Sequence, residues 1–233
     1  MSVFNFKHFQ IHQKNAALKV GTDSMLLGSL CNWKNPKLLL DIGTGTGVLS
    51  LMCAQRFSFE KITGIELSEE AFTDAQINAQ NNPFPSKISI LNQSIQDYKP
   101  AGEFDAIISN PPFFENSSKN PDADKSLARH TESLSFLELI QSIARLLSKD
   151  GKAWIIVPFE SKEQLIQLAK ANDLFVSDLI TIFGKPDKAT RVILSFEKKA
   201  SELRISSLCI RTEDGSYTEE YKVLTKEFHD RSL

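Results

Sequence analysis

The stretch Ser109-Asn110-Pro111-Pro112-Phe113-Phe114 holds no acid, base or obvious nucleophile, yet its residue types suit the transfer of a group to an exocyclic amine. The amino nitrogen of a base such as adenine shares its lone pair with the ring and is barely basic, so early proton removal is not the main obstacle. The obstacle is aiming that lone pair. The side-chain carbonyl of Asn110 and the main-chain carbonyl of Pro111 can each accept one amino hydrogen, which localises the lone pair and aligns it for in-line attack. Pro111 and Pro112 stiffen this geometry by fixing φ, and Phe113 offers a ring on which an extruded base stacks. By itself the stretch also reads as a rigid Pro-Pro turn with core phenylalanines. Its place behind a strand and downstream of a glycine loop favours the site.

That loop is "DIGTGTG", residues 41–47. Gly43, Gly45 and Gly47 let the backbone turn sharply and come close to a ligand, where a Cβ would block the approach or the positive φ. The spacing is GxGxG, whereas the pyrophosphate fingerprint is GxGxxG. Glu66 follows 19 residues after Gly47, at the end of a strand pattern. An acid there can accept hydrogen bonds from both ribose hydroxyls of a nucleoside cofactor. A tight structural turn and a helix-capping carboxylate are the plain alternatives. Glycines and acid together, with Asp41 ahead of them, point to S-adenosylmethionine, which has no phosphates to cradle.

The elements that must position these residues alternate from residue 37 onward. Short apolar runs at 37–43, 61–67, 87–93, 104–110 and 152–158 read as parallel strands, with helical periodicity at 48–57, 68–78, 135–148 and 161–172 between or after them. Residues 174–183 and 191–198 are two further strands, separated only by "GKPDKAT". That is too short for a crossover helix, so they form an antiparallel hairpin. The expectation is an α/β fold of the class I, Rossmann-like methyltransferase type: seven mostly parallel strands closed by an antiparallel hairpin of strands six and seven, with helices on both faces. The polar region 115–132 follows the fourth strand as a loop or lid.

Length and composition set the bounds. The 233 residues, 41% hydrophobic and 24% charged, suit one domain over 1–233, with a basic N-terminal segment (1–36), a core (37–198) and a C-terminal extension (199–233). No apolar run approaches the roughly 20 residues of a membrane span, and the N-terminus lacks a secretory pattern, so the expected location is cytoplasmic. Three dispersed cysteines without a CxxC pair suggest neither a disulfide framework nor a metal site. The net charge of −2 argues against a generally cationic nucleic-acid binder. Two local patches stand out: Lys7, Lys14 and Lys19 before the first acid, Asp23, and Lys185, Lys188 and Arg191 around a single acid. Such patches can hold a polyanion while global charge stays near zero; they read equally well as solvated surface.

Beyond these features, the chain resembles the amino-group methyltransferases with an (N/D)PP(Y/F/W) motif, and among them the bacterial tRNA(Val) adenine-N6 methyltransferases. "FKHF" (6–9), "ALKVGTDSMLLGSL" (17–30), "LLDIGTGTGVLSLMCAQR" (39–56), "DAIISNPPFF" (105–114), "RVILSF" (191–196) and "CIRTEDGSYTEEY" (209–221) carry the likeness. The resemblance implies methyl transfer from S-adenosylmethionine to adenine N6 in a tRNA anticodon stem-loop, by a monomer. It implies that Lys19, Val20, Gly21, Thr22 and Asp23 line the methionine end of the cofactor. Asp41, Gly43, Gly45, Gly47, Glu66 and Leu67 would hold the rest, and Asn110 with Pro111 to Phe113 the adenine. Many relatives have an acid after the third strand for the cofactor's adenine. Here "NQSIQDY" puts Ser94 there, so either Ser94 with the Ile95 amide makes that contact or Asp97, three positions on, reaches back. Lys7, Lys14, Arg129 with His130, Lys185, Lys188 and Arg191 are the expected RNA contacts. Guanine-N2 methylation of ribosomal RNA, glutamine methylation in a protein, and a non-catalytic cofactor-binding module are the competing readings.

Overall fold

The computed structural model describes residues 2–111 and 134–230. Its strands are β1 (Val3–Asn5), β2 (Gln10–His12), β3 (Leu38–Ile42), β4 (Lys61–Glu66), β5 (Lys87–Asn92), β6 (Phe104–Ser109), β7 (Leu147–Pro158), β8 (Phe175–Lys185), β9 (Lys188–Glu197) and β10 (Arg204–Cys209). The helices of eight or more residues are α1 (Thr22–Leu30), α2 (Val48–Arg56), α3 (Glu69–Gln80), α4 (Phe136–Leu146) and α5 (Lys162–Ala171), and a short α6 spans Glu219–Thr225. No helix among the described residues is long and apolar enough to cross a membrane.

Eight strands form one sheet in the order β10-β8-β9-β7-β6-β3-β4-β5. β7, β6, β3, β4 and β5 run parallel, and β9 runs antiparallel to both β7 and β8. The expected topology is therefore present, with one strand more than the seven expected. The extra strand is β10, paired parallel to β8 with Arg204 opposite Asp178. It escapes a periodicity reading because it is an edge strand: only Leu208 of Arg204–Cys209 is buried. Docking is aided by the guanidinium of Arg204, whose Nε donates to Asp178 Oδ1 at 2.7 Å.

Two other boundaries differ from expectation. β7 begins at Leu147, not at 152, and residues 148–151 bulge out between two stretches paired with β6. Asp150-Gly151 is thus a kink inside a strand. Gly151 is needed there because a Cβ would sit 2.9 Å from the Phe104 carbonyl oxygen. The β8–β9 hairpin is also tighter than expected, with Lys185 paired to Lys188 and Asp187 in the left-handed region at φ 60°.

Side chains alternate between the two faces of the sheet, as strand geometry requires. Leu39 of β3 packs with Met25, Leu26 and Leu27 of α1 and Leu51 and Met52 of α2. Leu40 and Ile42 face the other way, against Leu139, Ile140 and Ile143 of α4 and Leu165 of α5. α4 starts with a capping box in which Ser135 and Glu138 exchange side-chain-to-backbone bonds. The first 16 residues form an arm whose β1–β2 hairpin reaches the far end of the chain. Phe6 stacks on Phe9 at 4.3 Å and bridges to His229.

Candidate active site

β6, β3, β4 and β5 are parallel neighbours, so the segments leaving their carboxyl ends meet along one edge of the sheet, where open α/β sheets place ligands. The first is the glycine loop. Gly43, Gly45 and Gly47 all have positive φ (66°, 58° and 79°), a region that strains any L side chain. A Cβ added at Gly43 or Gly45 would meet nothing within 4 Å, so the loop borders open space.

Asp41 lies beneath this loop and is fully buried. Its Oδ2 accepts from Thr44 Oγ1 at 2.6 Å and Ser50 Oγ at 2.8 Å, which ties the loop to the first turns of α2. Its Oδ1 is buried with no hydrogen-bond partner among the described residues. Burial pushes this carboxyl up to about 6, against the downward pull of the two hydroxyls. Asp41 therefore shapes the loop from below.

Glu66, at the end of β4, faces the loop. Its Oε2 accepts from the Gly45 amide at 2.8 Å and its Oε1 from the Ser68 amide at 2.9 Å. Asn92 at the end of β5 donates to the carbonyls of Glu66 and Leu67, at 3.0 Å each, while the Leu67 side chain is exposed. The two candidates after β5 turn out to be one turn. Asp97 reaches back so that its Oδ2 accepts from Ser94 Oγ at 2.6 Å, and the Asp97 amide donates to Ser94 Oγ at 3.2 Å. Ile95 is buried, and its carbonyl accepts from Arg145 Nη2 of α4 at 2.9 Å.

The N-terminal segment is fastened over this edge by α3. Asp74 accepts from the amides of Asn15 (2.7 Å) and Ala16 (2.8 Å) and from Asn15 Nδ2. Asn78 exchanges bonds with the His12 backbone and donates to the Thr46 carbonyl at 2.8 Å. Lys19 folds its ammonium onto the carbonyls of Gln13, Lys14 and Ala16. Val20 follows, its amide donating to Gln13 Oε1 at 2.8 Å, and Gly21 caps α1.

α1 carries Thr22, Asp23 and Ser24 to Asn110, whose Nδ2 donates to Ser24 Oγ at 3.4 Å. With its nitrogen turned to Ser24, the Asn110 amide has its carbonyl oxygen directed elsewhere. Asn110 and Pro111 line a cavity of about 610 Å³. The other walls are Leu18, Lys19 and Gly21 to Ser24, the β8–β9 hairpin through Gly184, Thr190 and Arg191, and the C-terminal segment through Ile210, Arg211 and Tyr217. Across it, Arg191 Nε donates to Asp23 Oδ2 at 2.9 Å.

Of the expected RNA contacts, Lys7 pairs with Glu227 at 3.1 Å, Lys185 reaches the Glu213 carbonyl at 3.5 Å, and Lys14 and Lys188 are exposed. Pro112, Phe113, Arg129 and His130 lie outside the described residues. Sequence reasoning did not single out Asp74, Asn78 or Arg145, because their partners are remote backbone groups. Nor did it give roles to Arg211 and Tyr217, although the Asp214-Gly215 turn between them was a local signal for a hairpin.

Comparison with known proteins adds to this geometry. The family model "Methyltransferase small domain" matches residues 15–171. The chain is 37% identical over 228 residues to a protein of Pedobacter heparinus named tRNA1(Val) (adenine(37)-N6)-methyltransferase, covering 97% of both. It is 40% identical over 230 residues to a protein of that name from Tolumonas auensis, covering 98% of this chain and 97% of the relative. Among solved structures, a predicted O-methyltransferase of Agrobacterium tumefaciens superposes with a TM-score of 0.65 at 18% identity, over 88% of this chain and 96% of that one. An S-adenosylmethionine-dependent methyltransferase of Clostridium acetobutylicum superposes with a TM-score of 0.51 at 12% identity, over 70% of this chain and 85% of that one. At such identities the solved structures speak for the fold alone.

Proposed function

Because the chain belongs to the tRNA1(Val) (adenine(37)-N6)-methyltransferase family, we propose that it methylates N6 of adenine 37 in tRNA1(Val), with S-adenosylmethionine as methyl donor. The observation that carries this reading is the placement of Asn110 and Pro111. They follow β6, next to the glycine loop after β3, and open onto the cavity with the Asn110 amide nitrogen engaged by Ser24.

When bound, S-adenosylmethionine supplies an electrophilic methyl group on a sulfonium sulfur. The residues fit its nucleoside and amino-acid ends. Glu66 would hold the ribose hydroxyls, Gly43, Gly45 and Gly47 leave room for close approach, and the Ser94–Asp97 turn with the Ile95 amide would meet the adenine. Lys19 to Asp23 border the methionine end, and Asp41 keeps the loop in shape. The acceptor is an unpaired base of the anticodon stem-loop, swung out into the cavity. Asn110 Oδ1 and the Pro111 carbonyl would accept hydrogen bonds from its two amino hydrogens and so aim the nitrogen lone pair for attack. Pro112 and Phe113 lie outside the described residues; their residue types would suit stiffening the clamp and stacking on the ring. The protein works as a cytoplasmic monomer, in a single catalytic domain.

The test is to incubate the protein with labelled S-adenosylmethionine and total tRNA from a strain lacking the enzyme, then digest to nucleosides. Label in N6-methyladenosine supports the reading. Label only in N2-methylguanosine or in protein overturns the acceptor, and cofactor binding without transfer overturns catalysis.

A further inference from the structure

Two arginines line the cavity beside Asn110, and they are held in opposite ways. Arg191 is paired with Asp23. Arg211 has no carboxylate partner among the described residues. Its guanidinium carbon lies 4.1 Å from the centre of the Tyr217 ring, and its Nη1 donates to the Gly215 carbonyl at 2.7 Å. Tyr217 in turn stacks on buried Tyr221, with centres 5.0 Å apart and planes 17° from parallel. The tyrosine therefore serves as a support for the guanidinium.

The hairpin that carries Arg211 is firmly built. Gly215 takes a φ of 91°. Thr212 accepts from the Gly215 amide and donates to the Ser216 carbonyl, while Asp214 is occupied by Thr212 and Ser216. At its base the Thr218 amide donates to the Ile210 carbonyl, and Ile210 donates to Phe183 of β8. An arginine fixed this way loses little freedom when it binds. Among the described residues only one of its five N–H donors is committed.

The match to a generic methyltransferase domain ends at residue 171, whereas relatives sharing the tRNA specificity in their names cover 97–98% of the chain. The segment holding Arg211 thus lies beyond the matched domain and reaches the cavity beside Asn110. A nucleic-acid acceptor brings one phosphate with every nucleotide, and the planar guanidinium fork suits phosphate oxygens. We infer that Arg211, braced on Tyr217, is a substrate-positioning residue that binds a backbone phosphate next to the target adenosine. The inference rests on the functional reading above. The rival anion is the carboxylate of the cofactor, and the test separates the two.

In the full-length protein, Arg211→Gln should raise KM for tRNA about tenfold or more, with kcat and cofactor Kd changed less than about threefold. The slope of log affinity for tRNA against log salt should fall by about 0.7–0.9, the value of one phosphate contact. Arg211→Lys keeps the charge and should keep the wild-type slope, which a purely structural role would not reproduce. An unchanged slope and KM in Arg211→Gln, or a loss confined to cofactor affinity, overturns the inference. A measurement on the unaltered protein does not depend on the variants folding: tRNA, and not S-adenosylhomocysteine, should shield Arg211 from phenylglyoxal, read by mass mapping. Equal shielding by both, or by neither, also overturns it. If the wild-type protein binds tRNA without transferring methyl, the functional reading fails, and slope and shielding still decide Arg211.

Discussion

The cofactor edge and the acceptor cavity are neighbours built on different plans. At the cofactor edge most key groups lie near one another in sequence: Asp41 holds Thr44 and Ser50, Ser94 holds Asp97, Glu66 reaches Gly45 across 21 positions and Asn92 reaches the Glu66 carbonyl across 26. Around the cavity the partners are far apart, as with Asp23 and Arg191 at 168 positions and Asn110 and Ser24 at 86. The edge is a local product of the successive β-α-β units from β3 to β5. The cavity exists only once the arm, the hairpin and the C-terminal segment have all docked.

Substitutions on the two sides should therefore separate cleanly. The largest effect is expected from Asn110→Ala, which should cut turnover by roughly 10²–10³-fold, the usual cost of one pre-aimed polar group, while calorimetry finds cofactor affinity intact. A parallel loss of cofactor affinity would erase the distinction between the two regions. Next is Asp41→Asn. The Asp41 carboxyl sits at about 6 in the fold, above its ordinary value of 3.8. The stability linked to its protonated form is present below about pH 4 and lost as pH rises through about 6. The variant escapes that loss, so its advantage in thermal midpoint over wild type should grow from pH 4 to 6 and then level off, worth about 3 kcal/mol by linkage. A difference that is flat with pH would remove burial as the cause.

Glu66→Gln should weaken cofactor binding by roughly 10- to 100-fold, as hydrogen bonds to a charged group are worth about 1.5–3 kcal/mol, with little change in tRNA binding. The smallest effect is expected for Asp23→Asn. That ion pair is about a quarter to a third exposed and should contribute under about 1 kcal/mol of stability. Its signature would be a modest loss of affinity for S-adenosylmethionine, whose methionine end Asp23 borders, and a drop in melting temperature of many degrees would show that the pair is structural.

The same contrast explains what could be read from the sequence. The β-α alternation, the glycine loop, Glu66 and the antiparallel hairpin announce themselves because their signals lie within single windows of periodicity or turn chemistry. Ser94 and Asp97 stood as alternative contacts to the cofactor's adenine; the fold joins them in one turn, a pairing three positions apart that no periodicity displays. β10 was missed because an edge strand with one buried residue has no apolar pattern. Asp74 and Asn78 were missed because a buried polar group on a helix declares itself only through its partner, here 32 to 66 positions away. Arg211 and Tyr217 lay in a stretch known by likeness alone, and their stacking depends on the turn at Gly215.

One further consequence follows from the meeting of the two chain ends. The N-terminal arm, pinned by Asp74 and Asn78, also leans on residues made much later: Lys7 pairs with Glu227, 220 positions away, and Phe6 bridges to His229. During synthesis the β-α core can form on the ribosome with the arm held by α3 but still without its C-terminal partners. The nascent chain can hold a nearly finished sheet and yet lack a complete acceptor pocket.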